Sequence, residues 1–188
     1  MDLRPSVLCV GGHDPTGGAG LQADIETLTA LGVRAYTLVT CLTEQDTHNV
    51  HGLWPTPERA FRRQRDRLLS DVQPQAIKVG LLGSESVAAA VAELLDRFEG
   101  PVVVDPVLRA GGGRSLGSDP LRDLMLEALL THSTLATPNR AELVQLAGVD
   151  DLDDAARRLL QHGLEALLVT GADDVDPAHS DQVTQVLH

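Results

Sequence analysis

The residues of this chain best suited to chemistry stand just after short apolar runs, in the segments GGHDPTGGAG (11–20), TEQDT (43–47), KVGLLGS (78–84), DPV (105–107), TPN (137–139) and TGADD (170–174). In an open parallel sheet, ligands bind beyond the carboxyl ends of the strands, so these are the positions where binding groups should gather. The glycine-rich segment 11–20 follows an apolar run and leads into a helical pattern, which lets backbone approach a ligand closely while helix amides face an anionic group. It has no GK[ST] and is not a P-loop. Its glycines also miss the GxGxxG spacing of dinucleotide folds. A glycine-rich turn made only for tight packing explains the segment about as well.

The elements that must position these segments alternate in type. Val7–Val10 reads as a first strand, followed by a helix from about Gly18 to Gly32 on Asp24, Thr27, Leu28 and Leu31, and by a strand over Ala35–Cys41. Pro55 and Pro57 precede an Arg-rich amphipathic helix over Glu58–Ser70. Then come a strand at Ala76–Val79, a helix over Ser84–Phe98 and an apolar strand at Val102–Val104. Residues 109–120, RAGGGRSLGSDP, hold four glycines and suggest a flap over a site. Helical periodicity resumes over Leu121–Leu130, a strand end follows at Leu135–Thr137, helices cover Arg140–Leu146 and Leu152–His162, and a last strand covers Ala166–Thr170. This is the pattern of βαβ units around a parallel sheet covered on both faces.

Length and composition bound the function. The 188 residues fit one domain, and with 43% hydrophobic but only 2% aromatic residues the core must be built from Leu, Val and Ala, with Tyr36, Trp54, Phe61 and Phe98 as isolated exceptions. A net charge of −12 makes nucleic acid or an anionic membrane a poor partner, while a small phosphorylated ligand remains compatible through local backbone amides and a metal ion. Cys9 and Cys41 lie in apolar runs without CxxC spacing, as reduced buried thiols do. No stretch reads as a signal peptide or membrane span, so the cytoplasm is the expected location.

The segments also carry a resemblance. GGHDPTGGAGLQAD (11–24) is similar to the AGSDPSGGAGIQAD opening of the hydroxymethylpyrimidine and phosphomethylpyrimidine kinases, in the ribokinase-like superfamily. The likeness continues in order through TCLTEQDT (40–47), IKVGLLGS (77–84), VVVDPV (102–107), ATPNRAE (136–142) and ALLVTGAD (166–173). The resemblance implies a three-layer α/β/α domain with a mainly parallel central sheet. It also implies transfer of the γ-phosphoryl group of ATP, with Mg²⁺, to 4-amino-5-hydroxymethyl-2-methylpyrimidine and then to its monophosphate, in thiamine biosynthesis. Relatives are commonly homodimers. Such transfer needs alignment and electrostatic stabilisation more than covalent help from protein.

Carried over residue by residue, the resemblance assigns Gln45 to the amino-pyrimidine edge, a role suited to an amide that donates and accepts together. Asp24 takes the place of a substrate-contacting acid, or is a solvated helix residue. Gly12, Leu81 and Val107 become pocket walls, Leu81 standing where many members have methionine. Asp105 either organises the phosphate and metal region or caps a turn. Asn139 and Glu142 match the NxxE pattern tied to Mg²⁺, with Asp105 and Glu142 as the metal acids; the same spacing is also a helix-capping arrangement. Thr170 stands near the nucleotide phosphates, where many relatives have lysine, and His13 replaces a small residue.

The family's GTGCT-type motif, whose amides form an anion hole and whose cysteine or aspartate acts near the attacking hydroxyl, is absent after Ala172, so no catalytic residue of that type is assigned. The expectation is a single domain over 1–188 whose C-terminal part is missing, and a 188-residue chain that binds a pyrimidine better than it phosphorylates one, since loss of such stabilisation costs on the order of 10²-fold in rate. Two other readings stand beside it: a pyridoxal-type vitamin kinase, and a non-catalytic pyrimidine-binding protein.

Overall fold

The computed structural model describes residues 4–108, 119–171 and 185–188. Most of the expected flap, residues 109–118, falls outside the described residues, as does 172–184. The described strands form one sheet in the order β3-β2-β1-β4-β5-β6-β7-β8. They are β1 (Ser6–His13), β2 (Arg34–Gln45), β3 (Val50–Pro55), β4 (Ala76–Val79), β5 (Val102–Val104), β6 (Leu135–Ala136), β7 (Ala166–Val169) and β8 (Val186–Leu187). Five of the seven pairings are parallel; β2–β3 and β7–β8, at the two edges, are antiparallel.

The helices are α1 (Gly20–Ala30), α2 (Glu58–Leu69), α3 (Glu85–Leu95), α4 (Asp119–Leu124), α5 (Arg140–Ala147) and α6 (Leu152–Gln161). Three of them start where a side chain can serve the first-turn amides: Ser84 accepts from the Val87 N–H, Asn139 from that of Glu142, and Asp151 from that of Asp154. Past α4 the chain passes through a π-helical turn, Met125–Leu129, and a 3₁₀ turn, Leu130–His132, so the expected single helix over 121–130 is a tightening and loosening coil.

Strand alternation decides which face is closed. Leu8, Val10, Ile77, Val79, Val102, Val104, Ala136 and Leu167 are all buried in one cluster, together with Phe61 of α2 and the apolar stripe of α3. Gly11 lies on the other face of β1, against Leu21 of α1. With helices on both faces the domain has the three layers expected of it. The core is aliphatic, as the composition requires, with Phe61 its one fully buried aromatic residue among those described.

Two differences from the sequence expectations bear on the site. β2 runs four residues beyond Cys41, and a strand over Val50–Pro55 turns back along it, pairing Leu42 with Trp54 and Gln45 with Val50. Gly52 and Pro55 hid this strand, because both residues are poor strand formers in sequence; on an edge strand the missing N–H of Pro55 is tolerated. TEQDT is therefore a strand end and turn in an antiparallel ribbon, not a plain loop. β1 likewise extends through Gly11 and Gly12 to His13, with a register shift against β2 at those two glycines.

Candidate active site

After β1 the chain moves to β2 on one side, and the later crossovers step away on the other side through β4 to β7, so the topology reverses at β1. A cavity of about 360 Å³ opens there, lined by Gly12 at the end of β1, Gln45 at the end of β2, Lys78, Gly80 and Leu81 at the end of β4, Asp105 and Val107 after β5, and the loop 14–20.

The walls are set by close packing. A side chain at Gly12 would place its Cβ 3.0 Å from Cys41 Sγ and 3.1 Å from Leu81 Cδ2, so glycine lets Leu81 come close to the strand end. The buried Thr40 hydroxyl donates to the Leu81 carbonyl and fixes that wall from behind. Gln45 is half-buried at the cavity, and its side-chain amide makes no hydrogen bond to the described residues.

Three aspartates line the cavity, and two of them are committed to backbone. Asp14, only 4% exposed, accepts from the Thr16 N–H at 2.7 Å through Oδ1, and from the Thr16 hydroxyl at 3.0 Å and the Ala19 N–H at 2.9 Å through Oδ2. It thereby ties the glycine-rich loop to the start of α1, whose own N-cap, Ala19, has no capping side chain. Asp46 pairs with His51 Nε2 at 3.0 Å and accepts from the His48 and Asn49 amides, each at 2.8 Å. Asp105 makes no side-chain hydrogen bond to the described residues, and burial pushes its pKa up, with Lys78 opposing and Asp24 adding to the rise.

The His51 hydrogen bond first, and the two amides after it, hold Asp46 down to a pKa of about 2. Because this lies below the value of a free aspartate, about 3.9, the hold on the turn is full above that pH and is lost as pH falls toward the folded value. We expect the amide resonances of His48 and Asn49 to shift together as the pH is taken down from about 4 toward 2, and the Asp46→Asn protein to lack this step. A step that survives the substitution would show that another group governs the turn.

The remaining expected residues lie elsewhere. Asp24, on α1, stays behind the cavity with both oxygens 3.1 Å from Lys78 Nζ. Asn139 and Glu142 form a complete capping box at the start of α5. The buried Glu142 carboxylate accepts from the Asn139 N–H at 3.0 Å and the Leu108 N–H at 3.3 Å. The capping arrangement is formed, and through Leu108 it braces the segment that carries Val107. Thr170 bridges to Asn139 beyond β6 and β7, and its N–H donates to the Pro138 carbonyl at 2.9 Å. Gln45, Asp105, Gly12, Leu81 and Val107 thus share one cavity, while Asn139, Glu142 and Thr170 form a second group linked to it by Leu108.

Sequence reasoning passed over Asp14 and Lys78. A buried-loop acid leaves little trace, but Lys78 was marked: it is the single lysine of the chain, against fourteen arginines. Among the described residues, no group of three or more His, Cys, Asp or Glu side chains could hold a metal by itself, and no helix is long and apolar enough to cross a membrane.

A family model described as phosphomethylpyrimidine kinase matches residues 14–188. The chain is 39% identical over 172 residues to the hydroxymethylpyrimidine/phosphomethylpyrimidine kinase of Streptomyces coelicolor, covering 89% of this chain and 64% of that protein. It is 35% identical over 178 residues to the enzyme of the same description from Bacillus subtilis, covering 92% and 66% respectively. The chain therefore spans just under two thirds of these relatives. Among solved structures, the phosphomethylpyrimidine kinase of Clostridium difficile superposes with a TM-score of 0.85 at 26% identity, over 98% of this chain and 80% of that one. The pyridoxal kinase of Staphylococcus aureus in complex with AMP-PCP and pyridoxal gives 0.84 at 27% identity, over 98% and 68%.

Proposed function

Because the chain belongs to the phosphomethylpyrimidine kinase family, we propose that it transfers the γ-phosphoryl group of ATP to the hydroxymethyl group of 4-amino-5-hydroxymethyl-2-methylpyrimidine, and then to the resulting monophosphate, in thiamine biosynthesis. The observation that carries this reading is the cavity at the reversal of the sheet, where the uncommitted amide of Gln45 meets apolar walls from Gly12, Leu81 and Val107 and one bare carboxylate, Asp105. An amide that both donates and accepts suits an amino-pyrimidine edge, and apolar walls suit the flat ring.

Mg²⁺ would be held by Asp105, whose oxygens are uncommitted, and by Glu142 through water, since both of its oxygens already accept backbone N–H groups. Few protein ligands are what Mg²⁺ shared with nucleotide phosphates requires, and it would supply neutralisation of charge on the transferring group. Asn139, beside Glu142 in the capping box, and Thr170, bridged to Asn139, would serve the nucleotide phosphates, and Asp24 would serve the substrate. The protein acts in the cytoplasm and as a homodimer.

Calorimetry tests the reading. The protein should bind the hydroxymethylpyrimidine, and Gln45→Leu should weaken binding by about 10- to 100-fold, because the ligand's amino edge is left without partners. Equal binding by the variant would remove Gln45 from the site. The likeness to the Staphylococcus aureus pyridoxal kinase supports a second reading, phosphorylation of pyridoxal. Titration with pyridoxal beside the pyrimidine separates the two by which ligand binds more tightly.

A further inference from the structure

Lys78 sits on β4 next to Cys9 of β1, on the sheet face that α1 covers. Its ammonium nitrogen lies 3.1 Å from each carboxylate oxygen of Asp24, yet only Lys78 of the two lines the cavity. An ammonium carries three N–H donors, so a carboxylate on one side leaves a donor for the cavity. Gly80, on the same face, leaves the flank of the ammonium open: a Cβ there would lie 3.1 Å from Nζ. Asp24 offsets the lysine charge, and Asp105 adds a second negative charge nearby. A neutral acceptor atom is therefore a better partner for this donor than a phosphate. In the strand order, Gln45 stands on one side of β1 and Lys78 on the other, so the two polar groups address a ligand from different edges.

We propose that Lys78 donates a hydrogen bond to an unprotonated ring nitrogen of the bound heteroaromatic alcohol, and that Asp24 is the positioning residue that aims it. This rests on the substrate reading above, and it gives the acid of α1 an indirect role: Asp24 acts through the lysine.

The test pairs ligand and protein changes in calorimetry. The ligands are 4-amino-5-hydroxymethyl-2-methylpyrimidine and its two pyridine analogues, each with one ring nitrogen replaced by CH. Wild type should lose about 10- to 100-fold in affinity for one of the analogues, the half-buried ammonium losing its ligand acceptor while it keeps Asp24. Lys78→Met should lose a similar factor for the parent pyrimidine and show no further loss with that analogue. Asp24→Asn should weaken the parent less, and Lys78→Met/Asp24→Asn should bind as Lys78→Met does, a non-additivity expected only if the two side chains act as one unit. The double variant buries no unpaired charge, and it carries the comparison should the single lysine variant fail to fold.

Parent affinity unchanged in Lys78→Met, or an equal loss across all three ligands, overturns the assignment of Lys78 while leaving the substrate reading in place. A folded wild type that binds no pyrimidine removes both.

Discussion

Asp105→Asn is expected to lower phosphoryl transfer by about 10²- to 10³-fold, measured with Mg²⁺-ATP and the hydroxymethylpyrimidine, while the pyrimidine still binds. The selectivity follows from how the cavity spends its acids. Asp14 holds the Thr16 and Ala19 amides, Asp46 holds the ribbon turn, and Asp105 holds nothing among the described residues. A half-buried carboxylate without donors is costly to keep charged, which is why burial raises its pKa. Asparagine keeps the shape and removes the charge. The variant should therefore be as resistant to urea as wild type, or more so, even as transfer falls, the signature of a group kept for function at the expense of stability. Undiminished transfer in a folded Asp105→Asn protein would take Asp105 out of the phosphate and metal region.

How much of this was legible beforehand differs from residue to residue. The parallel strands were visible as apolar runs, because a strand covered on both faces is apolar throughout; Val102–Val104 is the plainest case. The polar segments after β1, β2, β4 and β5 line the cavity, while those after β6 and β7 do not, and five of the nine expected site residues line it. What escaped was set by tertiary pairing. The strand over Val50–Pro55 has no clean alternation, and it forms because the extended end of β2 offers it partners. The spacing of Asn139 and Glu142 could not separate capping from metal binding, since both uses need the same turn of helix, and the capping box that forms, with the Leu108 N–H on the same carboxylate, is compatible with both uses. Asp24 and Lys78 come together across 54 positions, a pairing that no local pattern encodes.

The glycine-rich loop was the segment for which packing and ligand binding were equally good explanations, and Gly20 is where the two meet. Its φ is +59°, and a Cβ there would lie 2.5 Å from the Gly12 carbonyl oxygen. That oxygen is backbone at the β1 register shift and cannot swing aside as a long side chain could. Gly20→Ala should therefore suffer twice: left-handed strain of about 1 kcal/mol or more, and displacement of Gly12, for a combined loss of roughly 2 to 4 kcal/mol in urea unfolding. Gly32 supplies the comparison, because its φ is +72° and nothing lies within 4 Å of the Cβ it would carry. Gly32→Ala should show the strain alone, about 1 kcal/mol, and bind pyrimidine as wild type does. Since Gly12 and Gly20 both line the cavity, Gly20→Ala should also weaken the pyrimidine at a temperature where the protein is still folded. If the two alanine variants lost equal stability and both kept full affinity, the close approach of Gly20 to Gly12 would have no part in shaping the site.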